Sequence, residues 1–196
     1  NFAPFNILEE LDNNYIKLNV IDLKAQAEFN WQIFKGLKYN FTGAIRYVRS
    51  KQEHEIHENS NMANAYRAAG NSTIRENNPY LYKDPSDPSA EPIVVLSKGG
   101  FYNTAENLLL NYDIRNSVSF SKIWNEKHEF NALLGQQIKY SDRQTNSNTG
   151  YGFQYDMGGT VSMNYLIMKQ MIEQNFDYYS RALTYDRFAA FYANVD

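Results

Sequence analysis

The stretch IDLKAQAEFNWQIF, residues 21–34, decides how this chain is read. Its odd positions are Ile21, Leu23, Ala25, Ala27, Phe29, Trp31 and Ile33. Its even positions are Asp22, Lys24, Gln26, Glu28, Asn30 and Gln32, until Phe34 breaks the series. Successive side chains in a strand point to opposite faces, so a period of two means a strand with one apolar and one polar face. The fold turns on what those faces touch: a protein core and water, or lipid and a water-filled lumen.

The alternation recurs along the chain. A first strand over about Leu18 to Phe34 meets Lys35-Gly36, a short Gly-containing break suited to a tight hairpin. A second, about Leu37 to Glu53, sets Leu37, Tyr39, Phe41, Gly43, Ile45 and Tyr47 against Lys38, Asn40, Thr42, Ala44 and Arg46. The third, about Tyr102 to Trp124, sets Leu108, Leu110, Tyr112, Ile114, Val118 and Phe120 against Asn111, Asp113, Arg115, Ser117, Ser119 and Ser121. After a turn at Asn125 to Lys127, a fourth runs from about His128 to Arg143, with Phe130, Ala132, Leu134, Ile138 and Tyr140 on its apolar face. A last strand covers about Arg187 to Asp196.

Between them lie two long polar segments, about 54–101 and 144–180. The first holds NMANAYRAAG, good for a helical turn or two, and NNPYLYKDPSDPSAEP, a loop by its four prolines. Residues 1–14 read as a loop with a helical turn at Ile7 to Leu11. Long loops therefore join the strands at one end and short turns at the other, which is the layout of an outer-membrane barrel. Strands of 14 residues or more also exceed the usual ~5–6 and suffice for the ~9–11 that a tilted membrane crossing needs. The expected fold is all-β: an antiparallel meander of long strands forming one segment of a large transmembrane barrel, of the ~22-stranded kind.

Composition agrees. Nineteen Lys and Arg against 22 Asp and Glu, with no basic block, give no electrostatic footprint for nucleic acid. Cysteine is absent, which rules out disulfides and thiolate metal sites. Aromatic residues make up 15% of the chain although its mean hydropathy is −0.61. A membrane barrel combines these by design, because half of each strand faces a polar lumen and tyrosines ring the interfaces. No apolar run approaches the ~20 residues of a membrane helix. The chain begins at Asn1 without a leader, and AAFYANVD ends within a strand-like run, so a piece of a longer protein is expected.

Residues 27–47, AEFNWQIFKGLKYNFTGAIRY, resemble the barrel of SusC/RagA-type TonB-dependent transporters of Bacteroidetes outer membranes, where an alternating strand enters a "kGL" periplasmic turn. KHEFNALLGQQIKY looks like that family's strand with a central Leu-Gly pair, here Leu134-Gly135, and RFAAFYANVD is similar to a further strand of it. The resemblance covers most of this chain but only a middle portion of a family member, without its plug domain and energy-coupling box. It implies import of an oligosaccharide or peptide, a SusD-like surface lipoprotein as lid partner, TonB as energy donor through other parts of the protein, and a location in the outer membrane. The lumen wall would carry Lys24, Glu28, Arg46, Asp113, Arg115, Gln137 and Lys139. Trp31 and Tyr39 flank the Lys35-Gly36 turn on the apolar register, where an interfacial girdle would put them.

Covalent chemistry finds no support. HEIHE, His54 to Glu58, spaces its histidines three apart on a strand exit rather than four apart on a helix, so a solvated rim is expected and no metal or cofactor. LSKGGFYN lacks phosphate-loop spacing, no nucleophile elbow is present, and carboxylates such as Glu28 and Asp113 alternate with Lys and Arg as in a hydrated wall. Tyr66, Tyr80, Tyr82, Tyr151, Phe153 and Tyr155 are the candidate substrate contacts in the loops, since flat rings beside Asn, Asp and Arg suit sugar or peptide surfaces. Loop packing and interface anchoring is their plainer role. A soluble glycan-binding β-sandwich using the same rings is the alternative.

Overall fold

The computed structural model describes residues 5–125 and 128–196. Its long strands are β1 (Asn14–Phe34), β2 (Leu37–Ile56), β3 (Gly100–Trp124), β4 (His128–Gln154) and β6 (Tyr179–Val195), with β5 a two-residue piece, Thr160–Val161. All belong to one sheet in which β1, β2, β3 and β4 are consecutive neighbours and β6 pairs with β4. β5 pairs with the last two residues of β4. The sheet is antiparallel, as the alternation requires, and the second sheet of a sandwich is not there among the described residues. β1 and β6 each have one neighbour, so each keeps an open edge.

The first hairpin closes at Lys35-Gly36. Gly36 takes φ 98°, a left-handed conformation that costs only glycine nothing, and its carbonyl accepts from the Ser121 amide at 2.8 Å. The turn expected at Asn125 to Lys127 lies outside the described residues except for Asn125, itself left-handed at φ 51°. Residues 1–4 of the expected N-terminal loop are likewise outside them. Short helices fill the connections: α1 (Ile7–Asn13), α2 (Asn61–Arg67), α3 (Ser72–Asn77) and α4 (Tyr165–Glu173). Each begins at a polar cap (Asn6, Ser60, Asn71 and Asn164) whose side-chain oxygen accepts a first-turn amide.

Two boundaries need correcting. The second connection was expected over 144–180, but β4 continues to Gln154 and β6 already begins at Tyr179. QTNSNTGYGFQ is polar at both parities as far as Thr149 and carries no alternation there, so nothing in that pattern marks a strand. Pairing holds it instead: Thr145 Oγ1 donates to Asn107 Oδ1 at 3.0 Å, and the Thr149 amide to the Tyr178 carbonyl at 2.8 Å. Tyr151 and Phe153 thus sit on a strand rather than in a loop.

The chain forms two compact units. One takes the residues up to Asn19 with Lys51–Glu106 and Asn146–Arg181; the other takes Val20–Ser50, Asn107–Thr145 and Ala182–Asp196. The first holds every fully buried apolar side chain among the described residues. Most of them form two clusters, one of Ile56, Ala63, Leu96 and Phe101, the other of Tyr82, Val95, Leu166, Ile167 and Met171, with Tyr66 and Tyr151 packed on both.

Among the described residues the second unit is sheet alone and buries no apolar side chain. Its apolar residues stay in the open, with Leu23 and Leu134 each 62% exposed and Phe191 80%. The boundary falls where the pattern of β1 inverts. From Ile21 onward the odd positions are apolar, whereas Ile16, Leu18 and Val20 are exposed apolar residues at even positions, and odd-numbered Tyr15 and Lys17 bind Glu55. The adjacent pair Val20-Ile21 ends one alternation and starts the other.

Candidate functional site

Strand pairing aligns the polar positions of the sheet unit into one continuous surface. On β1 and β2, the Arg46 guanidinium grips Asp22 with two bonds, Nε to Oδ1 at 2.9 Å and Nη2 to Oδ2 at 2.6 Å, the planar fork that arginine makes with carboxylates. On β3 and β4, Asp113 accepts from Gln137 Nε2 at 2.9 Å and from Arg115 Nε and Nη2 at 3.3 and 3.2 Å, with Lys139 Nζ at 3.9 Å. A cavity of about 600 Å³ opens over this surface, lined by Lys24, Arg46, Asn111, Asp113, Lys139 and Arg143 among others. Glu28 stands apart from it, accepting a bond from Gln26 Nε2 at 2.9 Å.

Of the seven polar-face candidates, the structure therefore gathers six around two carboxylates or one cavity. Three participants were missed. Asp22 was visible as an even position of the opening stretch. Phe188 lies under Lys139, with Nζ 5.8 Å from the ring centroid, and Tyr192 covers Gly135. The register of β6, fixed where Asn131 and Asp196 exchange two backbone bonds of 2.8 Å, puts both rings on the polar face. Sequence alone leaves a last strand unregistered, so its faces stay unassigned.

The opposite face carries aromatic residues at two levels. Tyr112 and Tyr140 stack at 5.0 Å, while Phe130 lies 6.2 Å from Phe120 and 6.1 Å from Trp124 near the turn. Between them the face is mainly aliphatic. Asn116 and Gln136 interrupt it, and Asn116 accepts from the Tyr39 hydroxyl at 2.6 Å.

In the other unit, the six aromatic candidates divide. Tyr82 is 2% exposed and exchanges backbone bonds of 2.9 Å with Ile93, which makes it core. Phe153 stacks on Tyr102 at 4.9 Å; Tyr155 stacks on His57 at 3.9 Å and donates to the Phe101 carbonyl at 2.7 Å. These rings are spent on packing. Tyr66 stacks on Tyr80 at 4.6 Å, and Tyr66 and Tyr151 meet Phe101 edge-on, yet these three also line a cavity of about 340 Å³ together with Gln170, Gln174 and Phe176. Burial, with Tyr151 and Tyr80 adding smaller effects, pushes the Tyr66 phenol up to about 12, so it stays a neutral donor. The α4 residues were missed because their segment has no strand pattern, although YLIMKQMIE repeats apolar residues at helical spacing.

The two histidines of HEIHE have separate partners: His54 Nε2 lies 2.6 Å from Asn14 Oδ1, and His57 packs between Tyr15 and Tyr155. Lys17 and Tyr15 both donate to Glu55 at 2.7 Å; burial works against its charged form, but these bonds outweigh it and hold the carboxyl below the usual range. No protein-family model matches the chain, and no curated protein matches it in sequence.

Proposed function

We propose that this chain is part of the wall of an outer-membrane β-barrel of the SusC/RagA TonB-dependent type, importing oligosaccharides or peptides. In this reading the apolar face of the sheet unit meets lipid and its polar face a hydrated lumen, while the unit with helices and core supplies extracellular loops. The observation that carries it is the uncovered face. Leu23, Phe29, Trp31, Ile45, Val118, Leu134, Ile138 and Phe191 all stand exposed on it, far more than a soluble surface leaves on one sheet face, and a closed core is the usual alternative.

The aromatic levels support lipid in particular. Phe130 and Tyr140 are ten residues apart on β4, about 33 Å along a strand at ~3.3 Å per residue. At a tilt of about 40° that spans about 25 Å of depth, the height of the apolar band of such barrels. Lumen walls of transporters are polar and mixed in charge, as the Asp22–Arg46 and Asp113–Arg115–Lys139 groups are. The five long strands are fewer than the ~8 of the smallest barrel, and both edges are open, so further strands would close the wall. The transporter type, the SusD-like lid and the TonB partner rest on the resemblance of residues 27–47 and 127–140 to that family.

Neighbouring residues of one strand test the assignment of faces. In the complete transporter, Ala27→Arg puts a charge on the lipid face, at a cost of ~2–4 kcal/mol at mid-depth. The yield of heat-modifiable, folded barrel should fall, whereas Glu28→Arg should leave it nearly unchanged. Equal yields from both variants would sink the membrane reading.

A further inference from the structure

We propose that the cavity walled by α2, Pro79-Tyr80, β4 and α4 is a binding site for an uncharged ring bearing hydroxyl groups, a pyranose or a phenol. Its volume of about 340 Å³ is at the small end of ligand pockets, which run ~300–1,000 Å³, and suits a ligand of one or two rings. Tyr66, Tyr80, Tyr151 and Phe176 give it aromatic walls, while Val95, Ile167 and Met171 give it an aliphatic floor that belongs to the buried core.

The polar groups in it are unspent. The hydroxyls of Tyr66, Tyr80 and Tyr151 and the carboxamides of Gln170 and Gln174 have no hydrogen-bond partner among the described residues, although Tyr66 and Tyr151 pack on both buried clusters. Tyr66, Tyr151 and Gln170 are half-buried while Tyr80 and Gln174 stand at the rim, so these groups are left to water until a ligand takes its place. Their type narrows the ligand. A phenol and a carboxamide each donate and accept, which matches a hydroxyl in either sense. No residue of the lining carries a formal charge at neutral pH, so an ionised ligand would be desolvated with no countercharge. A ring with an apolar face and hydroxyls on its rim fits; an anion or an ammonium does not.

The inference rests on the geometry of this unit and not on the transport reading, and it is tested by binding alone. Saturation-transfer NMR on the whole chain in detergent micelles uses methyl β-D-glucopyranoside and N-acetyltyrosinamide as neutral rings. Glucuronate and 4-hydroxybenzoate serve as their ionised counterparts. One neutral ring should receive saturation at millimolar concentration and its ionised counterpart should not; the sugar responding means a saccharide source, the tyrosinamide a phenolic one. Tyr151→Phe keeps the ring against Phe101 and Gln170→Leu keeps the helix, and each should weaken binding about tenfold, worth 1.4 kcal/mol. Gln170→Glu should do so for the neutral ring as well. The proposal is overturned if neither neutral ring binds, if the ionised rings bind equally, or if binding survives both Tyr151→Phe and Gln170→Leu in protein with unchanged circular dichroism.

Discussion

Gly135 sits under the ring of Tyr192, so close that a Cβ at 135 would overlap the aromatic carbons. A glycine in a strand interior weakens it, and a cross-strand aromatic laid over the bare backbone is one remedy. The clash meets the tip of an exposed ring that can swing aside, so Gly135→Ala should cost about 1 kcal/mol, the low end of overpacking. In the Tyr192→Ala background the same change should cost much less, a coupling readable from a double-mutant cycle of urea midpoints in micelles. The sequence offers Leu134-Gly135 as a recognisable pair but not the reason for it, since the partner lies on a strand with unknown register.

Glu55 brings a pH dependence at the same scale. Its carboxyl lies below the ordinary ~4.3 in the folded chain because Lys17 and Tyr15 donate to it despite its burial. Glu53 is shifted the same way by its bonds from Lys51 and Tyr102. A depressed folded value means stability that is present above the unfolded value and lost as pH falls through the folded one. Thermal unfolding followed between pH 6 and 3, by ring signals of Tyr15 and Tyr155, should thus move to lower temperature on acidification. Glu55→Gln should flatten that slope, and an unchanged slope would show that the Lys17 and Tyr15 bonds do not persist in solution.

Among the elements, strands with alternation were legible to within a few residues, and the others were not. β1, β3 and the start of β4 announce themselves because one face avoids water while the other seeks it, leaving a record at every second position. The stretch from Gln144 to Gln154 has no such record, being polar at both parities as far as Thr149, and is a strand because β3 and β6 pair with it. α4 presents the reverse case. Its apolar spacing is helical, but it lies in a segment whose length suggested irregular loop, and it docks through Leu166, Ile167 and Met171 onto the buried cluster around Tyr82 and Val95. Ile167 is 2% exposed, so Ile167→Ala should cost about 2–5 kcal/mol, measured by denaturation of the unit it anchors. Ile172→Ala, one residue past Met171 and 74% exposed, is the control that should cost little.

For the molecule as a whole, the sequence carried the class of fold and the identity of the two faces, and it could not carry the division of labour between the units. Hydropathy alternation says which side of a strand is apolar; it is silent on whether another layer covers that side, because coverage is a long-range fact. The structure supplies it: the buried residues collect in one unit, and the sheet of the other is left without a second layer among the described residues. The candidate aromatics show the same limit. Tyr82 and Tyr80 are two residues apart in one polar loop, yet the first is core and the second lines a cavity. In water without lipid or detergent, the chain should sediment as aggregates through its bare face and edges, and it should remain dispersed with phospholipid vesicles. A monodisperse monomer in plain buffer would count against the barrel wall.

Trp31 and Trp124 are the chain's only tryptophans, and both stand on the apolar face near the turn end of their strands, 54% and 41% exposed. All indole emission from this protein accordingly originates on the apolar face toward the turn end of the sheet, with none from the polar face or the cavity unit. Intrinsic fluorescence becomes a depth gauge that needs no label. Lipids brominated close to the headgroup should quench it strongly, and lipids brominated at the chain terminus should quench it weakly. Equal quenching by both would put the indoles nearer mid-bilayer than a girdle allows.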